Sequence, residues 1–226
     1  MINIVTSFFI SKLVNPQIEY RNQELVDTLL KNVSSPFVET IHLFVDDEIS
    51  MRKLTALFAE YIENKKIQVI QVGKQPLYYH LFAYAITNLR DKICMVTNSD
   101  IYIHSCDTAL IDRLNNEPRL LYALTRHEYD MSCPLINSYQ GSHDSFIFKS
   151  PLNNISIETL KFPQNVWGSE NKLISELYKQ QIVIKNPCKQ IKIVHLHKSG
   201  IREHNRITIS HHTSNNPEVH FPPVQL

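Results

Sequence analysis

Ile93-Cys94-Met95-Val96-Thr97 is a short apolar run that ends in three polar residues, Asn98-Ser99-Asp100, before extended chain resumes at Ile101-Tyr102-Ile103. An apolar run of this length with no polar alternation has the pattern of a strand covered on both faces. Upstream, three more runs share the pattern: residues 2–9, 40–45 and 67–72, the last closed by Gly73. Between them the spacing becomes helical. Leu25, Val26, Leu29 and Leu30 share a face within 21–32, and Leu54, Leu57, Phe58, Tyr61 and Ile62 within 52–64. Leu81, Phe82 and Ala85 point inward within 78–89. Downstream, a helix is predicted at 108–115, strands at 120–125 and 145–148, a helix at 170–181 and a late strand at 191–197. Strands that alternate with helices of about 10–15 residues define an α/β layer structure with parallel strands. After residue 120 the alternation loosens, and from 203 onward the chain is a polar tail carrying His204, His211, His212, His220 and Pro222-Pro223.

Composition excludes several classes. The 226 residues are 43% hydrophobic and 20% charged, so the chain is neither disordered nor fibrous. Lys and Arg number 23 against 22 Asp and Glu, a net charge of +1, with no basic excess to hold nucleic acid or an anionic membrane. The four cysteines, Cys94, Cys106, Cys133 and Cys188, form no C-x-x-C pair and read as reduced thiols. No run approaches the roughly 18–20 apolar residues of a membrane span. The apolar start at 2–10 lacks a basic flank and a small-residue cleavage site. The expectation is a soluble cytoplasmic protein. Its four glycines, Gly73, Gly141, Gly168 and Gly200, leave no Gly-rich loop to cradle phosphate.

Three features carry chemistry. In open α/β sheets ligands collect beyond the carboxyl ends of strands, where Asn98-Ser99-Asp100 lies. A hard divalent cation takes only one or two protein carboxylates when a substrate phosphate supplies further oxygens, so Asp100 suffices for that role; an Asp there also serves as a turn or cap residue. In Val194-His195-Leu196-His197, residues two apart on a strand face the same way, so both imidazoles can meet one ion. Zinc competes for such a pair, but no third and fourth ligands follow at characteristic spacing. Trp167-Gly168-Ser169-Glu170-Asn171 enters a helix, and Glu170 there either complements the helix dipole or stands over a cleft as a base.

In this order the three pieces resemble the GT-A glycosyltransferases, in particular the small enzymes of large DNA viruses and of bacterial surface-polysaccharide clusters. The resemblance covers roughly residues 1–202. Asn98-Ser99-Asp100 is similar to that family's D-x-D metal motif in an N-x-D form, and Trp167-Gly168-Ser169-Glu170-Asn171 to its W-G-x-E-D segment. His195 and His197 both match its C-terminal metal histidine. Gly73-Lys74-Gln75-Pro76-Leu77-Tyr78-Tyr79 with Phe82 and Tyr84 is similar to G-R-x-T-Y…F-x-Y-A-N. Leu124-Thr125-Arg126 and Ser142-His143-Asp144-Ser145-Phe146-Ile147-Phe148 are similar to the following strand and the S-x-D-x-W-I-F segment. Asn98, Asn171 and Lys74 depart from the pattern; Lys74 lacks the planar fork of a bidentate phosphate clamp.

The resemblance implies a Rossmann-like, mostly parallel sheet flanked by helices in one domain, residues 1–202. Within it 1–115 would be the nucleotide-binding half and 116–202 the acceptor-binding half. It implies an inverting hexosyltransferase that uses Mn²⁺ or Mg²⁺ and moves a sugar from a nucleotide-sugar donor, UDP-glucose by default, to a glycan or glycoprotein hydroxyl. The metal ligands are then Asp100 with His195 or His197. Donor contacts fall to Thr6, Ser7, Arg21, Asp46, Lys74, Tyr79, Asn98, Ser99, Asp100, Lys198 and Arg202. Glu170 is the base with Asp144 as rival, and Arg126 and Trp167 shape the acceptor side. Two other readings stay open: a nucleotidyltransferase on sugar phosphates, and an inactive GT-A-like module that binds sugar nucleotides.

Overall fold

The computed structural model describes residues 1–13, 15–129, 135, 143–164, 166, 168–201 and 221–226. Its elements run β1 (Ile2–Phe8), α1 (Pro16–Val33), β2 (Val38–Val45), α2 (Glu48–Glu63), β3 (Ile67–Gln71), α3 (Tyr78–Asn88), β4 (Ile93–Thr97) and β5 (Ile101–Cys106). There follow α4 (Thr108–Asn116), β6 (Leu120–Leu124), β7 (His127–Glu128), β8 (Ser145–Lys149), a 3-10 turn at Ile157–Leu160, α5 (Ser169–Lys179), β9 (Val183–Lys185) and β10 (Ile191–His195). Seven strands form one sheet in the order β3-β2-β1-β4-β8-β6-β9. All neighbours in it are parallel except β8, which runs antiparallel to both β4 and β6. The predicted α/β class, a mostly parallel sheet flanked by helices, is the observed one.

Two apolar layers cover the sheet. Successive strand residues point to opposite faces, and the packing obeys this: Ile4, Met95, Tyr122 and Ile147 meet Leu29, Leu54 and Leu110 from α1, α2 and α4. Val5, Val96, Ala123 and Phe146 meet Phe82 of α3 and Leu173 and Leu177 of α5 on the other side. Both faces are covered, which is why these strands read as continuous apolar runs.

Helix starts differ from the periodicity. α1 begins five residues before the predicted 21, because Asn15 caps it by accepting from the Ile18 amide and Pro16 occupies a first-turn position where its missing N–H costs nothing. α2 begins at Glu48 behind the Asp47 cap. Capping residues are polar, so hydrophobic periodicity starts after them. Two short strands went unpredicted, β7 and β9, and β10 ends at His195, two residues short of expectation.

Three strands form a second small sheet, β5-β10-β7. Asn32 of α1 anchors it: its side chain donates to the Ile101 carbonyl at 2.9 Å and accepts from the Ile103 amide at 3.1 Å. The chain end, expected as a loose polar tail, returns to the core in its described part. Asn186 donates to the Phe221 carbonyl at 2.9 Å, and Val224 donates to the Asn186 carbonyl at 2.9 Å. His204, His211, His212 and His220 lie outside the described residues. Cys94, Cys106 and Cys188 are free thiols, and Cys133 lies outside the described residues. Among the described residues no helix is long and apolar enough to cross a membrane.

Candidate functional site

Strand register assembles the site. Thr97, the last residue of β4, pairs with Ser145, the first of β8, and Ser145 pairs with Leu124, the last of β6. Asn98, Asp144 and Thr125-Arg126 therefore leave the sheet at one level. In the small sheet His195 pairs with Ile101 on one side and with Glu128 on the other. Beyond it the Leu196 amide donates to the Asp100 carbonyl at 2.8 Å, so His195 and His197 flank Leu196 and both face the Asp100 side chain.

Around Asp100, His195 Nε2 lies 3.1 Å and His197 Nδ1 3.7 Å from Oδ2. The ligand atoms of the three side chains lie within 4.8 Å of one another. Arg21 donates to the same carboxylate and, through Nη1, to Glu24 at 3.0 Å and the Leu196 carbonyl at 3.1 Å. Burial resists the ionisation of Asp100, but the charges of His195 and Arg21 outweigh it and hold the carboxyl well below the usual range. Burial likewise resists protonation of His195; Asp100 and Glu128 overcome it and push the imidazole up to about 9. Burial and the Arg21 charge push His197 down.

The ring of His197 is oriented. Its Nε2 sits 2.8 Å from the Ile201 carbonyl oxygen, which only accepts, so Nε2 carries the hydrogen. Nδ1 then turns a lone pair toward the Asp100 carboxylate. Two acceptors facing each other at 3.7 Å are a poor pair in isolation and a good pair around a cation. One carboxylate and two imidazoles also fit the ligand preferences of first-row divalent metals. The residues present therefore fit a divalent cation.

Two residues before Asp100, Asn98 joins a second group. Its Nδ2 donates to Glu170 Oε1 at 2.9 Å and approaches Asp144 Oδ1 at 3.5 Å. Gly168, at φ 87°, turns the chain into α5 and places Glu170 in the first turn, where Ser169 Oγ donates to Oε2 at 3.3 Å. Burial, with the Asp144 charge adding to it, pushes the Glu170 carboxyl up to about 7. Arg126 donates to Asp144 at 3.1 Å and to Glu128 at 3.0 Å. The buried carbonyl oxygens of the Asn98 and Gln164 side chains have no hydrogen-bond partner among the described residues, and a carbonyl oxygen is able to accept from a ligand hydroxyl.

The structure thus brings together Asp100, His195, His197 and Arg21, and beside them Asn98, Asp144, Glu170 and Arg126. Thr6 and Ser7 are buried at the end of β1: Thr6 donates to the Thr97 carbonyl at 2.7 Å, and the Ser7 and Ser99 hydroxyls lie 3.0 Å apart, bracing the Asp100 turn. Arg21, read from sequence as a donor contact, is an ion-pair partner of Asp100 here. Four predicted residues make no hydrogen bond or ion pair with this cluster among the described contacts. Asp46 is half-buried beyond β2, and Lys74 is exposed in the β3–α3 loop. Tyr79 lies under the Lys161 ammonium, 5.2 Å from its ring centre. Lys198 covers the ring of Tyr129 at 3.6 Å and lines a cavity of about 360 Å³ with Tyr20, Glu24 and Asp27. Arg202 and Trp167 lie outside the described residues. Sequence reasoning missed Glu24, Glu128 and Gln164. Glu24 occupies a helix position that periodicity treats as interior. Glu128 follows β6 closely in Arg126-His127-Glu128, and that proximity to a strand end was the available signal.

No family model matches the chain, and no curated protein matches it. Among solved structures it is similar to S. aureus TarS 1-349, with a TM-score of 0.49 and 14% identity, over 86% of this chain and 60% of that one. The chain thus spans less than two thirds of that protein's solved length.

Proposed function

We propose that the chain is a divalent-cation-dependent glycosyltransferase that moves a sugar from a nucleotide-sugar donor, UDP-glucose as the first candidate, to a hydroxyl of a glycan or glycoprotein with inversion. The observation that carries this reading is a juxtaposition. A set of side chains able to ligate a cation (Asp100, His195, His197) and a carboxyl pushed up to about 7 (Glu170) share the Asn98-Ser99-Asp100 turn.

Asp100, His195 and His197 would hold Mn²⁺ or Mg²⁺, which when bound supplies positive charge to a departing diphosphate. Arg21 adds a fixed cation on the Asp100 side. Thr6 and Ser7 near the carboxyl end of β1 and Asp46 just beyond β2 would contact the nucleoside. Glu170 acts at the other end. With a pKa of about 7 it is half ionised near neutral pH, where a general base is most effective. It takes the acceptor hydroxyl proton; the freed oxygen bonds to the anomeric carbon as the bond to the diphosphate oxygen breaks, and the diphosphate leaves with the electron pair. Asp144, held by Arg126, orients an acceptor hydroxyl.

The test is a panel of nucleotide sugars with Mn²⁺, scored for donor hydrolysis and transfer, for the native protein and Asp100→Asn, with a chelator control. Activity that survives chelation, or equal activity in the variant, defeats the reading. A nucleotidyltransferase would instead release pyrophosphate from a nucleoside triphosphate and a sugar phosphate.

A further inference from the structure

Glu128 ends β7 and sits beside His195 in the parallel ladder of the small sheet. Its Oε1 accepts from Arg126 Nε at 3.0 Å, and its Oε2 lies 3.5 Å from His195 Nδ1. His195 Nε2 faces Asp100 at 3.1 Å. One imidazole is thus held between two carboxylates, one on each nitrogen. A neutral imidazole carries its hydrogen on one nitrogen and a lone pair on the other. For Nε2 to offer its lone pair to a cation, the hydrogen must sit on Nδ1, and a group that only accepts, placed at Nδ1, keeps it there. Glu128 is such a group. Arg126 holds the opposite oxygen and donates with Nη1 to Asp144 at 3.1 Å, so the contacts run from Asp100 through His195, Glu128 and Arg126 to Asp144.

We infer that Glu128 is the positioning residue of the cation site: at Nδ1 it sets the tautomer and orientation of His195, and through Arg126 it ties that imidazole to the Asp144 carboxylate. The inference rests on the cation-dependent reading above. The 3.5 Å separation makes no hydrogen bond in this structure, where Nδ1 is buried without a hydrogen-bond partner among the described residues, and the inference requires Glu128 to close on that nitrogen when Nε2 engages an ion.

The experiment is calorimetric titration of Mn²⁺ into the full chain, for the native protein, Glu128→Ala and Glu128→Gln, with melting curves in the absence of metal. The two variants separate positioning from packing. Arg126 only donates, so in Glu128→Gln it takes the amide oxygen and turns the amide NH₂ toward His195. A donor at Nδ1 draws the ring hydrogen to Nε2 and closes the lone pair needed by the ion. Affinity for Mn²⁺ should fall about tenfold in Glu128→Ala and further, to about 100-fold, in Glu128→Gln. A packing role predicts the reverse order, because Gln fills the volume of Glu. Affinities within twofold of native in both variants, or a loss in Ala with native affinity in Gln, overturn the inference. If the native chain itself fails to bind Mn²⁺, the cation reading falls and takes this one with it. If the Ala variant melts too early to titrate, the Gln variant decides.

Discussion

In Glu170→Gln the protein loses a carboxyl that burial and Asp144 push up to about 7 from an ordinary 4.5. Because the folded value is raised, the native state keeps a proton that the unfolded chain has already released between these two pH values. The native state then binds more protons than the unfolded one, so stability falls as pH rises through that window and levels off above it. The gap, at about 1.4 kcal/mol per pH unit, is about 3 kcal/mol. Glu170 keeps some contact with solvent, and screening lowers the expectation to roughly 2 kcal/mol. Gln has the same shape, still accepts from Asn98 and does not titrate. Urea unfolding of both proteins, metal-free, at intervals from pH 4.5 to 8 measures the effect as a difference. Shared groups, such as His42, which burial pushes down to about 4, cancel. The variant should gain roughly 2 kcal/mol on the native protein across the window. In the transfer assay it should lose about 10²–10⁴ in kcat, together with the rising limb near pH 7 of the native profile. Parallel stability curves would show that Glu170 ionises alike folded and unfolded, and the argument for it as a base poised at neutrality would fail.

Asp100→Asn leaves Arg21 and His195 each short of a partly buried anion; it should cost about 2–4 kcal/mol by urea unfolding and abolish the Mn²⁺-induced rise in melting temperature. A full Mn²⁺ shift in this variant would remove Asp100 from the ligand set. Gly168→Ala forces a Cβ into left-handed backbone at φ 87°, so it should cost about 1–2 kcal/mol and lower kcat by displacing the first turn of α5; unchanged kcat would mean that the turn does not position Glu170. Asn32→Ala orphans the Ile101 carbonyl and the Ile103 amide and should cost about 2–3 kcal/mol in thermal unfolding. A loss below about 0.5 kcal/mol would mean that water replaces the side chain at no net cost.

Much of this protein is local pattern. The apolar runs at 2–9, 40–45, 67–72 and 93–97, separated by helical spacing, were enough for an α/β layer structure, because burial on both faces leaves its mark residue by residue. Asn98-Ser99-Asp100 was legible as a candidate site because a polar break after an apolar strand marks that strand's carboxyl end, where ligands collect in open α/β sheets. His195 and His197 were legible from a spacing of two, and that spacing keeps its meaning past the end of β10 because Leu196 still bonds to Asp100. Glu170 was visible as an acid entering a helix, but its affinity for a proton was not, since that comes from enclosure and from Asp144, 26 positions away. Glu128 left almost no trace, because a two-residue strand is too short to show a period. The position of β10 between β5 and β7, which seats His195 among Asp100, Glu128 and Ile101, follows from long-range pairing. Hydrophobic alternation says which face of a strand is buried. Which strand lies beside it, and in what register, depends on how the whole chain closes and packs, and at this site that pairing brings the carboxylates and imidazoles within reach of one another.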